Sequence, residues 1–328
     1  MKPIGVIGGG AWGTALAQVI ASGSREVLLW AREPEVIAAI NDHHENSMFL
    51  PGIALSPLIR ATNDLSWVAE GEAVLVVTPA QHMRVVLADL SQHAQPLILC
   101  AKGIEAGTHK LLHEVAQEAH PYSPIAVLSG PTFAHEVAAG LPTAITLAAE
   151  DEDRAKALAA LIARPTFRPY VSTDLSGAEI GGAVKNVLAI ACGVVEGAGL
   201  GQNARAALIA RGFAEMTRFG MARGARPETL AGLSGLGDLV LTCSSTSSRN
   251  FSLGVGLGQG RSAHDLLSDR RTVAEGAATA PVLVEAARAA GVEMPIADAV
   301  CALLAGEAAV GAVVERLLTR PLGAEHRA

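Results

Sequence analysis

Two lysines and one aspartate stand where charge is scarce. Lys185 is the only Asp, Glu, Lys or Arg between positions 180 and 195, and Asp238 the only one between 229 and 248. A helix that is apolar all round is a buried helix, and an ammonium carried into it has its pKa pushed down. Under that condition a lysine can donate and accept protons near neutral pH. A buried carboxylate needs a cationic partner, and Lys185 is the natural one for Asp238. Lys102 follows a strand-like run and precedes Gly103, at the end of a strand where a ligand crevice is expected. A second ammonium there would depress both lysine pKa values and attract an anionic substrate. Asn186 supplies a fixed amide beside Lys185, completing the candidate catalytic set Lys185, Lys102, Asp238 and Asn186. The plainer alternatives are a lysine that snorkels to the surface and an aspartate that closes a local turn or caps a helix.

Two segments have the form of phosphate sites. Gly8-Gly9-Gly10-Ala11-Trp12-Gly13 ends a strand-like run and opens a helical one, placing G-x-G-x-x-G at Gly8, Gly10 and Gly13. In that context the first glycine makes the tight turn and the second admits a pyrophosphate. The third allows close helix–strand packing, with the phosphates at the positive end of the helix. About 20 residues on, an NAD-selective site carries an acid. Here Arg32 stands at the strand end, with Glu33 after it. Arginine suits a 2′-phosphate, so NADP(H) is expected, without strict exclusion of NAD(H); otherwise Arg32 is a solvated loop charge. Ser247-Ser248-Arg249-Asn250 precedes a glycine-rich helical stretch. Its hydroxyls, guanidinium and helix N–H groups could cradle a phosphate, or form an ordinary N-cap with a surface arginine.

Other chemistry is poorly served. His109 and His113 lie four apart without a third ligand, which reads as a solvated helix face, and no metal site is expected. Cys100, Cys192, Cys243 and Cys301 form no C-x-x-C and read as small buried thiols of a reducing compartment. No Gly-x-Ser-x-Gly is present.

These residues must be positioned by a scaffold, and the chain alternates strand-like and helical patterns to supply one. Runs at 3–8, 26–31, 73–78, 97–101 and 125–129 read as buried strands, separated by amphipathic stretches such as 13–21, 81–90 and 108–119. That alternation predicts βαβ units and a doubly wound parallel sheet, which 143–148 and 167–171 complete or extend. Beyond about 172 the strand signal fades. Thr173 or Asp174 caps a long helix through Gly193, followed by helices at 203–222, 248–257, 274–290 and 297–318, the last broken near Gly306. The reading is α/β: a dinucleotide-binding unit at 1–172 and an all-α unit at 173–328, with 322–328 frayed.

Composition excludes several classes. The 328 residues carry Lys+Arg 25 against Asp+Glu 32, a net charge of −7, so there is no basic footprint for nucleic acid. Six Phe, three Trp and two Tyr leave few platforms for stacking bases. Mean hydropathy is positive, yet no membrane span of about 20 apolar residues is expected. The start of the chain runs directly into a strand, so no leader is expected and a cytoplasmic location is. The apolar second unit could hide the face of a homodimer.

Taken together the segments resemble the bacterial NAD(P)-dependent glycerol-3-phosphate dehydrogenase family along nearly the whole chain. The resemblance rests on the glycine turn, Cys100-Ala-Lys-Gly-Ile-Glu105, Leu128-Ser-Gly-Pro-Thr-Phe-Ala134, Glu179-Ile-Gly-Gly-Ala-Val-Lys-Asn186, Gly235-Leu-Gly-Asp-Leu239 and Ser248-Arg-Asn250. It implies a Rossmann-type first domain, with hydride exchanged between NAD(P)H and dihydroxyacetone phosphate to give sn-glycerol 3-phosphate for glycerophospholipid synthesis. Lys185 would carry the proton. Lys102, Gly130, Thr132, Lys185, Asp238, Thr242, Ser248, Arg249 and Asn250 would meet the substrate. Gly8, Gly10, Ala11, Trp12, Gly13, Arg32, Lys102, Ala134, Arg249, Val273 and Glu275 would line the cofactor, with Thr272–Gly276 as the closing segment. Sparse aromatic residues near the second strand leave the adenine contacts open. Two rivals are a dehydrogenase of similar build acting on another hydroxy or sugar acid, and a sensor that binds NAD(P)H without turnover. A phosphate-free substrate has little use for Arg249 and Asn250 at a helix start, and a sensor has no reason to bury Lys185 and Asp238.

Overall fold

A computed structural model describes residues 2–91, 95–268 and 274–319. Within them the β-branched runs form one eight-stranded sheet. Its strands are β1 (Ile4–Ile7), β2 (Val27–Trp30), β3 (Ile59–Thr62), β4 (Val74–Val76), β5 (Leu97–Leu99), β6 (Ile125–Ser129), β7 (Thr143–Ala149) and β8 (Phe167–Ser172). They lie in the order β3-β2-β1-β4-β5-β6-β7-β8. Side-chain alternation sends Val6, Leu75, Ile98 and Leu128 to one face and Ile7, Val76, Leu99 and Val127 to the other. Both faces are buried under helices, which is why the inner strands read as continuous apolar runs.

Every pair is parallel except β6–β7, which is antiparallel. The chain between them forms only the short helix Ala134–Ala138, packed over the helix Ala11–Ala21, and re-enters the sheet from the same end. β3 was not expected from the sequence. It is an outer strand whose Arg60 is exposed, so its apolar signal is thin.

The second unit is built around the helix Leu175–Gly197, capped by Asp174, whose carboxylate accepts from Gly177 N at 2.8 Å. The helix runs one turn past the expected end at Gly193. Every residue from 177 to 195 is buried, among the helices Gln202–Ala222, Arg249–Gly258, Glu275–Ala289 and Pro295–Leu304. Its crossing with Arg249–Gly258 is close enough that a Cβ on Gly193 would overlap the Phe251 carbonyl oxygen.

Several expectations are corrected. Leu175–Gly197 is long and apolar enough to cross a membrane, contrary to the reading that no such run exists, but its apolar surface is wholly covered by protein. His109 and His113 do not share a helix face. The helix begins at Leu112, and His109 precedes it with a φ of +57°. Its Nε2 meets Glu285 at 3.0 Å, while His113 Nδ1 meets the buried Glu179 at 2.6 Å. The break expected near Gly306 is present: 297–318 divides into Pro295–Leu304 and Val310–Leu318. The C-terminal stretch 322–328 lies outside the described residues.

Candidate active site

The strand order reverses between β1 and β4. Ligands of open α/β sheets bind outside the carboxyl ends of the strands at such a point. The glycine turn opens there. Gly8 has a φ of +130°, which side-chain-bearing residues rarely adopt. A Cβ on Gly13 would overlap the Gly8 carbonyl oxygen, so the helix sits tight on the turn. Nothing lies within 4 Å of where a Cβ on Gly10 would stand. A pyrophosphate can therefore reach bare backbone at the N-terminus of Ala11–Ala21. Ala11 and Trp12 make the first turn of that helix and pack on the same cluster as Ala134. Thr78, just past β4, has a buried hydroxyl without a hydrogen-bond partner. This cradle fits the phosphates of a dinucleotide.

The polar centre lies beyond the ends of β5 and β6. Asp238 is fully buried at the start of the helix Asp238–Cys243, after the π-turn Leu233–Gly237. Its carboxylate holds both ammonium groups: Lys185 Nζ donates to Oδ1 at 2.7 Å and Lys102 Nζ to Oδ2 at 2.6 Å. Thr242, one turn further along, accepts from Lys185 at 2.8 Å. Lys102 also donates to the Gly130 carbonyl at 3.3 Å, which Thr132 Oγ1 shares. Burial pushes the Lys185 pKa down to about 8; the Asp238 carboxylate opposes the shift and the Lys102 charge adds to it. The site thus holds two positive charges against one negative, with one lysine poised to exchange a proton near neutrality.

Around this centre Asn186 Oδ1 accepts from Asn250 Nδ2 at 3.0 Å, and Asn250 Oδ1 accepts from Gly276 N at 2.9 Å. Three helices are thereby tied together beside the lysines. Ser248 caps the helix Arg249–Gly258, its Oγ accepting from Phe251 N at 3.2 Å, and Arg249 is exposed at the rim. Glu275 opens the next helix. Burial raises its carboxyl pKa, while the charges of Lys102, Arg249 and Lys185 all act to lower it, so it lies within electrostatic reach of each. Arg32 stands apart at the end of β2. Val273 and Thr272 lie outside the described residues. Among those described, no group of three or more His, Cys, Asp or Glu side chains is placed to hold a metal ion.

Two contributors were missed from sequence. Asn46 is fully buried, and its Nδ2 donates to the Gly9 carbonyl at 2.8 Å and to Thr14 Oγ1 at 2.9 Å, bracing the glycine turn. Its Oδ1 accepts from Phe49 N at 3.1 Å, but the glycine-turn partners of its Nδ2 are more than 30 residues away, so no local pattern marks that role. Glu179 is the second buried charge of the central helix and accepts from His113 N at 2.8 Å. It bounds the charge-poor window that singles out Lys185, and the same scarcity could have flagged it.

The chain matches the family model described as NAD-dependent glycerol-3-phosphate dehydrogenase N-terminus over residues 3–155, and the corresponding C-terminus model over 174–315. A relative from Erythrobacter litoralis named glycerol-3-phosphate dehydrogenase (NAD(P)+) is 66% identical over 323 residues, covering 98% of each chain. One of the same name from Caulobacter vibrioides is 60% identical over 327 residues, covering 99% of each. The crystal structure of glycerol-3-phosphate dehydrogenase from Coxiella burnetii superposes with a TM-score of 0.93 at 37% identity, covering 97% of this chain and 99% of that one.

Proposed function

The chain belongs to the NAD-dependent glycerol-3-phosphate dehydrogenase family, and from that premise we propose how its residues perform reversible reduction of dihydroxyacetone phosphate to sn-glycerol 3-phosphate. It is an NAD(P)-dependent oxidoreductase acting on a CH–OH group. When bound, the nicotinamide supplies the hydride or takes it up. The observation that carries the assignment of roles is the Lys185–Asp238–Lys102 cluster, buried beyond the ends of β5 and β6.

As the carbonyl is reduced, negative charge grows on the C2 oxygen. Lys185 as ammonium gives that oxygen a proton, and in the oxidative direction neutral Lys185 takes the hydroxyl proton back. The Lys102 side chain stabilises the developing alkoxide. Asp238 binds both ammonium groups and fixes their spacing. It also keeps Lys185 protonated often enough at neutral pH to act as an acid. Gly130, Thr132, Thr242 and Asn186 surround the carbonyl end, and Ser248, Arg249 and Asn250 hold the phosphate. Gly8, Gly10, Ala11, Trp12, Gly13, Arg32, Ala134, Val273 and Glu275, with Lys102 and Arg249, bind the cofactor.

In this reading residues 1–172 bind the cofactor and 173–328 the substrate. A cytoplasmic homodimer serving glycerophospholipid synthesis completes it. Charged cofactor and phosphorylated triose are retained inside a bilayer, and the exposed Leu200, Met221 and Val240 of the second unit are apolar surface a second copy could cover. The test is oxidation of NADPH and NADH followed on addition of dihydroxyacetone phosphate. Stoichiometric oxidation supports the reading; none with either cofactor overturns it. Sedimentation at micromolar concentration tests the dimer.

A further inference from the structure

The first residue after β2, Ala31, lies against the glycine turn: a Cβ on Gly9 would press on the Ala31 Cβ. The next two residues are therefore held beside the turn, at the position where the outer ribose of a dinucleotide is read. They are Arg32 and Glu33, and they form an ion pair. Arg32 Nε and Nη2 both donate to Glu33 Oε1, at 3.1 and 2.8 Å. Oε2 and the Nη1 amino group take no part in that pair.

The two members differ in freedom. The Arg32 side chain is 80% exposed and that of Glu33 27%. Glu33 also holds the N-cap position of the ten-residue helix Pro34–His43, but its side chain does not cap it. The carboxylate is turned instead to the guanidinium, so the anchored partner is the acid. An arginine at this point favours a 2′-phosphate and an acid favours a ribose 2′-hydroxyl, and here one of each shares a single site.

We infer that Glu33 is a specificity-determining residue: it acts as an internal counter-ion to Arg32 that lowers preference for NADP(H) and keeps NAD(H) usable. A 2′-phosphate arriving at Arg32 must displace or share the guanidinium with a fixed negative charge. A 2′-hydroxyl meets no such repulsion and can donate to the free Glu33 oxygen. The inference rests on the NAD(P) reading above and concerns only the balance between the two cofactors.

Direct binding tests it, with dissociation constants for NADPH and NADH measured by titration calorimetry on the wild-type protein and Glu33→Gln at one ionic strength. Removing the charge while keeping the shape should tighten NADPH and weaken NADH, moving their ratio about two- to five-fold towards NADPH, the scale of an exposed charge pair. A ratio that stays within about 1.5-fold, or moves towards NADH, overturns the inference. Equal weakening of both cofactors also overturns it, since that would mean a merely structural role. Binding of neither cofactor by the wild-type protein would instead overturn the underlying NAD(P) reading. Glu33→Ala provides a second variant in which the same direction is expected.

Discussion

Lys185 shows how scarcity of charge reports chemistry. Its helix has no other Asp, Glu, Lys, Arg or His between Glu179 and Glu196, so the residue and its depressed pKa are legible in the sequence. Its pairing with Asp238 was a guess of chemistry, since 53 residues separate them, and the sharing of that carboxylate by Lys102 needed the fold. The pKa of about 8 sets a pH dependence. With Lys185 in the proposed role, carbonyl reduction draws on the ammonium, so its kcat/KM should fall as pH rises through about 8, and oxidation should rise over the same interval. Asp238→Asn removes the charge that favours protonated Lys185, so both breaks should move to lower pH; pH–rate profiles of the two proteins decide this. Arg249→Ala should raise KM for dihydroxyacetone phosphate on the order of 10- to 100-fold, the scale of lost charge-assisted hydrogen bonds. An unchanged KM in steady-state kinetics would take Arg249 out of the phosphate site.

Elements read well where periodicity and burial agree. The long central helix, the strands of the inner sheet and the glycine turn all announce themselves through apolar runs and glycine placement. The segment 227–243 does not: it is a short helix, a π-turn and another short helix, none with enough residues to show a period. Asp238 could thus be singled out while its element could not. Capping across the chain is equally hidden. Glu215, buried on Gln202–Ala222, accepts from Ile296 N at the start of Pro295–Leu304 at 2.9 Å. Burial pushes its pKa up to about 7, against the Ile296 and Ala297 N–H groups. A carboxyl with a raised native pKa binds its proton more tightly when folded. Its ionisation therefore erodes stability as pH climbs from the unfolded value of 4.5 towards 7, and the loss is complete above that. Glu215→Gln keeps an acceptor without the charge, so its melting temperature should vary less with pH over that interval. Glu215→Ala should lose stability by about 1–3 kcal/mol, because it strands a buried N–H. Thermal melts of the three proteins across pH check both.

At the scale of the whole molecule, the two units contribute one lysine each to a single carboxylate, so the proposed mechanism requires their relative placement to hold. Polar contacts between the units secure it. His113 pairs with Glu179, and Arg223 donates to Glu114 at 3.1 Å and to the His109 carbonyl at 3.0 Å. Sequence could show two units but not their docking, because docking joins single residues with no shared spacing. His113→Ala leaves the buried Glu179 without its ionic partner and should cost about 3–5 kcal/mol, seen as a lowered denaturation midpoint. An unchanged midpoint would deny the pair that role. Whether Lys185 carries the proton is decided by turnover of dihydroxyacetone phosphate and calorimetric NADPH affinity in Lys185→Ala beside the wild-type protein. The expected result is a loss of kcat on the order of 10²–10⁴-fold with NADPH affinity kept within about two-fold. Near-normal kcat in that variant would mean that another group carries the proton.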